Sequence, residues 1–343
     1  MGLSILFPSH CTLENINKFC TELSQAAKQE KVTIDFINMS KINPFDMLFV
    51  SNAIKEFTLN NPELDLKFKN YKSHTYAAHM SFFKAFGLDY GNSIDTKSQS
   101  STYLAISKIR TKKLTELADQ NWSTENDVLE EEARKLAELL TQQKSTDLVD
   151  LLAYSLREIM RNVVEHSESK AIYYCAQYWP SLSKVEIAIL DSGIGLKNSL
   201  IKNPYIQLNT DIDAINLALM PSVSSKNYKG APVDTSDPWH NSGFGLFMTS
   251  RLCQEEGEYF ICSGKGGLLL RNKQKTKFEL YNNFKGTAVK MVLNTSSLGS
   301  LSEKLNELSK EGKKLAKHIK NAGNVEASAA SQMLSRDFKD VNQ

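Results

Sequence analysis

Glu158 and Asn162 stand four residues apart in Glu158–His166 (EIMRNVVEH), a segment whose apolar residues recur at helical spacing. Four residues is about one helical turn, so both side chains project from one face and can reach a common point. A carboxylate beside a neutral amide oxygen suits a hydrated hard cation, with a water that the acid can polarise. Further along, Val185–Leu190 (VEIAIL) reads as a buried strand running into Asp191-Ser192-Gly193-Ile194-Gly195. Asp191 is then a fixed acceptor at a strand end, while Gly193 and Gly195 let another group approach the backbone closely. This is not a Rossmann fingerprint, because G-x-G-x-x-G is absent. A third segment, Ser242-Gly243-Phe244-Gly245-Leu246, precedes helical spacing over Phe247–Cys253. Glycines at a helix start leave N–H groups open at the positive end of the dipole, a seat for phosphate. Gly286-Thr287 opens a late strand, where the Thr287 hydroxyl can bond a base or a bound water.

The elements that must position these groups can be read from periodicity. Leu148, Leu151, Leu152, Ile159 and Val163 form the apolar side of a helix over Thr146–His166. Met220–His240 is a long polar loop carrying three of the eight prolines, placed to act as a lid over a phosphate site. Its Lys226 and Lys229 are either phosphate contacts or solvated cations. Upstream, the pattern predicts a strand over Thr102–Ile109 and helices over Arg110–Asp119 and Thr124–Gln143, the last with Leu129, Ala133, Leu136 and Leu140 as its stripe. Near the N-terminus, strands over Val32–Ile37 and Leu64–Phe68 alternate with helices over Pro44–Phe57 and His79–Phe86, the last stopped by Gly87. That order favours a sheet with helices packed on it. Asn92–Ser101 reads as a polar linker, Leu298–Ile319 as a lysine-flanked amphipathic helix docked on the body or on a second copy, and Asn321–Gln343 as a frayed tail.

The 343 residues are enough for two domains, and 41% hydrophobic with 23% charged is ordinary for a globular chain. A net charge of +2 gives no global field toward nucleic acid, which is left open but not indicated. Five cysteines without a C-x-x-C pair argue against a disulfide framework or a structural zinc site and for a reducing cytosol. No apolar run reaches the ~18 residues of a membrane span, and the first residues lack a secretory pattern. A cytoplasmic protein without a membrane partner is expected.

The ordered set from Glu158 through Asp191–Gly195 and Gly243–Leu246 to Gly286-Thr287 resembles the Bergerat-fold, histidine-kinase-like ATPases over roughly residues 145–295. The resemblance implies an α/β sandwich with helices on one side of a mixed sheet. It implies that Asn162 holds Mg2+, that Glu158 is the catalytic base, and that Asp191 takes the adenine amino group with support from Thr287. Gly193, Gly195, Ser242, Gly243, Phe244, Gly245 and Leu246 would line ATP and hinge the lid, and His166 would pack or hydrogen-bond locally. Too little chain follows for a gyrase-type transducer with its catalytic lysine, so hydrolysis is expected to be slow. Val32–Asn43 (VTIDFINMSKIN) more loosely resembles the STAS regulatory modules, although Asn43-Pro44-Phe45-Asp46 stands where phosphorylatable members carry Ser or Thr. The expected organisation is an α/β chain with a STAS-like unit over 1–92, a linker with connecting helices over 93–144, an ATP unit over 145–296 and a C-terminal helix and tail over 297–343. The expected function is a Mg-dependent ATP switch acting on the regulatory unit, a protein partner or a homodimer. A protein kinase of the anti-sigma or histidine-kinase type and a non-hydrolysing nucleotide sensor are the alternatives.

Overall fold

The computed structural model describes residues 2–94, 99–100, 102–141, 146–230, 243–296 and 301–319. The chain opens with β1 (Leu3–Leu6), α1 (Leu13–Gln25), β2 (Lys31–Asp35), α2 (Pro44–Asn60) and β3 (Asp65–Lys69). These strands form a parallel sheet in the order β1-β2-β3. Pro44 suits the first turn of α2, and Asp46 accepts the Asn43 N–H there at 3.3 Å. Two short helices follow, α3 (Thr75–His79) and α4 (Phe82–Ala85). The single helix expected over His79–Phe86 is therefore broken. Ser81 takes φ 62° between the two pieces, and Phe82, Phe83 and Phe86 cluster against Phe7 and Phe36 in the core.

The next elements are β4 (Gln99–Ser100), β5 (Tyr103–Arg110), α5 (Thr111–Asn121), α6 (Glu125–Thr141), α7 (Asp147–His166), β6 (Ala171–Trp179) and β7 (Lys184–Asp191). After α8 (Gly195–Leu200), α9 (Asp211–Ala218) and α10 (Gly245–Glu256) comes the long hairpin of β8 (Gly257–Arg271) and β9 (Gln274–Asn294), then α11 (Leu301–Ala316). Asn272 and Lys273 turn that hairpin with φ of 50° and 60°, the left-handed pair that matches strand twist. The second sheet has the order β4-β5-β6-β7-β9-β8, and all its pairings are antiparallel. It is thus not the mixed sheet expected. The short turn Pro180–Leu182 joins β6 to β7, and a two-residue turn joins β8 to β9; such connections permit only antiparallel neighbours.

Elements from the stretch expected as a linker with connecting helices over 93–144 pack with this sheet. β5 pairs with β6, and α5 and α6 share one core with α7, through Leu114, Leu129, Ala133, Leu136 and Leu140. One face of the six-stranded sheet carries that helical layer together with α10. The opposite face is covered by the N-terminal unit, where α2 packs on β6 and β7 and α1 on β9. Residue alternation along β7 shows the division, Ile187 and Ile189 facing the helices while Ala188 and Leu190 face the N-terminal unit. The C-terminal helix docks on the body: Gly312 of α11 lies against Phe244 and Phe247. The tail over Asn321–Gln343 lies outside the described residues. The five cysteines are free, and all but Cys11 are buried. No helix among the described residues is long and apolar enough to cross a membrane.

Candidate functional site

α7, the end of β7, the start of α8, the loop before α10 and the second half of β9 converge on one cleft. Glu158, Asn162, Asp191, Gly195, Gly243, Gly245, Leu246 and Thr287 all line it, as expected from sequence. Its empty space, open mouth included, is about 810 Å3. Ile159, Val163, Ile189, Ile261 and Val289 supply apolar walls. Two expected contacts fall elsewhere, and a third is not among the described residues. Phe244 is fully buried in the helical core beside Phe247, so it packs the body rather than the cleft. Gly193 lines a neighbouring hollow with Lys197, Asn198 and Asp211 instead. Ser242, like the lid over 231–242, lies outside the described residues.

The local geometry explains the residue types. Thr146 caps α7 by accepting the Val149 N–H at 3.3 Å, which fixes the start of the helix that carries Glu158 and Asn162. β7 is hydrogen-bonded on both sides and brings Asp191 opposite Ile172 and Thr287. The Asp191 carboxylate accepts the Gly193 N–H at 2.8 Å and the Thr287 N–H at 3.2 Å, one on each oxygen. Gly245 begins α10 pressed against α7: a Cβ there would stand 2.0 Å from Glu158 Oε2. Gly243 holds φ 70°, and a Cβ on it would meet the Val223 backbone at 2.6 Å. The described part of the expected lid is anchored by buried amides. Asn203 donates to Ser224 O at 3.0 Å, and Asn227 donates to Ser222 O at 3.1 Å.

The electrostatics divide the cleft into two ends. Asp191 is 2% exposed; burial raises its carboxyl to about 6, against the lowering effect of the Gly193, Thr287 and Ser167 hydrogen bonds. Burial also pushes the Glu158 carboxyl up, but the charges of Arg161 and Arg157 outweigh it and hold the group below its ordinary range. Arg157 donates to Glu158 Oε1 at 2.7 Å, and the Arg161 guanidinium is 3.5 Å from the same oxygen. Glu158 is therefore a carboxylate with its charge already matched, which makes it a weak base. His166 also faces the cleft, 3.1 Å from the Ser225 hydroxyl, rather than serving packing alone. Burial first, then Lys226, Arg161 and Lys202, depress its imidazole to about 3, so its 3.7 Å approach to Glu165 is not an ion pair at neutral pH. Lys226 and Lys229 are exposed and do not line the cleft.

The donor set suits a nucleotide at one end and a phosphate-held cation at the other. A carboxylate has about four acceptor sites, so Asp191 keeps capacity for an exocyclic amino group after accepting two N–H bonds. The Thr287 hydroxyl stands beside it. Asn162 is half-buried and makes no hydrogen bond to the described residues. One amide oxygen fits Mg2+, which takes few protein ligands and completes its shell with water and phosphate. No cluster of three His, Cys, Asp or Glu among the described residues offers a protein-only metal cage. Arg161, Ser167, Ser199 and Ser225 also line the cleft and were not foreseen. Of these only Arg161 left a trace in sequence, as the i+3 partner of Glu158. No family model matches the chain, and no curated protein matches it.

Proposed function

We propose that the chain binds ATP with Mg2+ in this cleft, as a Bergerat-type ATPase unit, and turns it over slowly as a switch acting on the STAS-like N-terminal unit. The observation that carries the reading is convergence. Residues from five separate elements, chosen by type and spacing alone, meet in one cleft with an acidic acceptor at one end and an unpaired amide at the other. Asp191 and Thr287 take the adenine edge, the apolar walls take the ring faces, and Asn162 takes the cation. The open N–H groups of the first turn of α10 face the phosphates. Mg2+ there neutralises phosphate charge and orients the terminal phosphoryl group. Glu158, neutralised by two arginines, orients water more than it abstracts a proton, and turnover is slow for that reason.

A link to the N-terminal unit is built into β9. Phe284 stacks on Phe49 of α2 with ring centres 5.2 Å apart, and the Thr287 N–H three residues later bonds Asp191. A calorimetric titration of the full chain with ATP, with and without Mg2+, tests the reading: saturable binding strengthened by Mg2+ is expected. Absence of heat with either form overturns it. Incubation with γ-labelled ATP then separates slow phosphate release, which is expected, from labelling of the protein, which assigns the chain to phosphotransfer instead.

A further inference from the structure

On the far side of the sheet from the cleft, two lysines from different layers close on one phenol. Lys108 of β5 stands opposite Tyr173 of β6 in the strand register, and Lys55 reaches the same ring from α2. Lys55 Nζ donates to Tyr173 Oη at 3.4 Å and lies 5.3 Å from the ring centre. Lys108 Nζ lies 5.2 Å from the ring centre. All three side chains are half-buried. Neither ammonium has a carboxylate within 4.0 Å among the described residues.

The donor and acceptor count does not close. Each ammonium has three N–H donors and the phenol one O–H, while the only acceptor recorded for either ammonium is the phenol oxygen itself. Burial raises the Tyr173 hydroxyl, but hydrogen bonds and charge from Lys108 and Lys55 outweigh it, so the phenol titrates below its ordinary range. Two like charges held together in a partly desolvated place repel more strongly than on an open surface. The N–H and O–H donors of three half-buried side chains thus converge with no carboxylate beside the lysines among the described residues.

We propose that Lys55, Lys108 and Tyr173 form a binding site for an oxyanion of the phosphate class, seated across the seam between the N-terminal unit and the six-stranded sheet. The anion accepts the Tyr173 O–H and one N–H from each lysine, and ties α2 to β5 and β6. Because it is remote from the nucleotide cleft, it stands or falls separately from the function proposed above.

The test uses the full chain with inorganic phosphate or glycerol 3-phosphate, against chloride at matched ionic strength. Two quantities are read: the thermal midpoint, and the phenol absorbance titration of the wild type minus that of Tyr173→Phe. Phosphate should raise the midpoint and move the Tyr173 titration to higher pH, since a bound anion disfavours phenolate. Lys55→Met and Lys108→Met should each weaken binding about tenfold, the loss of one charge-assisted hydrogen bond. Anion binding in the cleft leaves the Tyr173 titration where it is, which separates the two sites. Equal response to both probes assigns the site to the phosphate group itself; response to the ester alone assigns it to an esterified phosphate. No shift of the Tyr173 titration by either probe, or a shift that persists with both lysines replaced, overturns the proposal.

Discussion

Asp191→Asn separates recognition of the base from stability of the fold. Asp191 is almost wholly buried, and its carboxyl moves from 3.8 to about 6. The folded chain thus binds this proton more tightly than the unfolded chain. The contribution of Asp191 to stability is greatest below the unfolded value and falls as pH rises toward about 6. A shift of about two units amounts to about 3 kcal/mol of ionisation cost at neutral pH. Asparagine removes that cost but turns an –NH2 toward the N–H of Gly193 or Thr287, which costs about 1–3 kcal/mol. The two effects nearly cancel, so the thermal midpoint should stay within about 4 °C of wild type. Binding should not survive as well, because the lost acceptor is a charged one, worth about 1.5–3 kcal/mol, or roughly 10- to 150-fold. Calorimetry with adenosine keeps phosphate ionisation out of the measurement. Wild-type affinity should fall about tenfold per pH unit once Asp191 protonates below about 6. Adenosine affinity that is flat between about pH 5 and about pH 7, or unchanged in a folded Asp191→Asn chain, refutes the assignment of Asp191 to the base.

Further outcomes follow from the same geometry. Glu158→Ala takes one of two carboxylates from each of the buried Arg157 and Arg161 guanidinium groups, which keep Glu130 and Glu165, and should cost about 1–3 kcal/mol in denaturant unfolding. Glu158→Gln should keep nucleotide binding and lose turnover, and an unchanged rate of phosphate release removes Glu158 from the mechanism. Gly245→Ala places a methyl 2.0 Å from Glu158 Oε2 and should cost about 1–3 kcal/mol, read as a lowered thermal midpoint; a neutral result means α7 and α10 are not in contact there. Phe45→Ala removes a ring that is 2% exposed and set edge-on to Phe260 at 5.4 Å; a cost of about 3–5 kcal/mol is expected, and a cost under about 1 kcal/mol contradicts docking of α2 on the sheet. Hydrogen exchange should show ATP protecting the amides of residues 282–287 without opening α2, and increased exchange along α2 on binding ATP contradicts a docked output.

The helix carrying Glu158 and Asn162 was legible because a threonine cap and a sustained 3.6-residue period agree over five turns. Asp191 was legible because a run of β-branched and small apolar residues ends at an acid. What was not legible is long-range. Thr102–Ile109 reads as a strand, as β5 is, but nothing local in it says that it pairs with β6. Phe244 sits between two glycines of the phosphate-side segment, and its direction is set by Phe247 and Gly312, which the sequence does not place near it. The neutralisation of Glu158 was hidden for another reason. Adjacent residues on a helix do not face one another, yet the long Arg157 side chain bridges from Glu130 of α6 back to its neighbour.

The two faces of the six-stranded sheet limit what a switch here can do. β9 serves both: Val289 lines the cleft, while Ala288 packs toward the N-terminal unit. A ligand that takes a two-state element from 1:99 to 99:1 must favour one state by about 5.5 kcal/mol. Full undocking of the N-terminal unit asks for more. It exposes Phe45, Phe260 and Leu190, each worth about 1.5–3 kcal/mol when fully buried. It also removes the Phe45 N–H from the fully buried Glu186 carboxylate, which accepts it at 3.2 Å. Nucleotide binding cannot supply that sum and still leave net affinity. The output that fits the energies is a local one. On the proposed function, a bound base acts on the Gly286–Thr287 backbone already held against Asp191, and the change reaches Phe49 through Phe284 while α2 stays seated on β6 and β7.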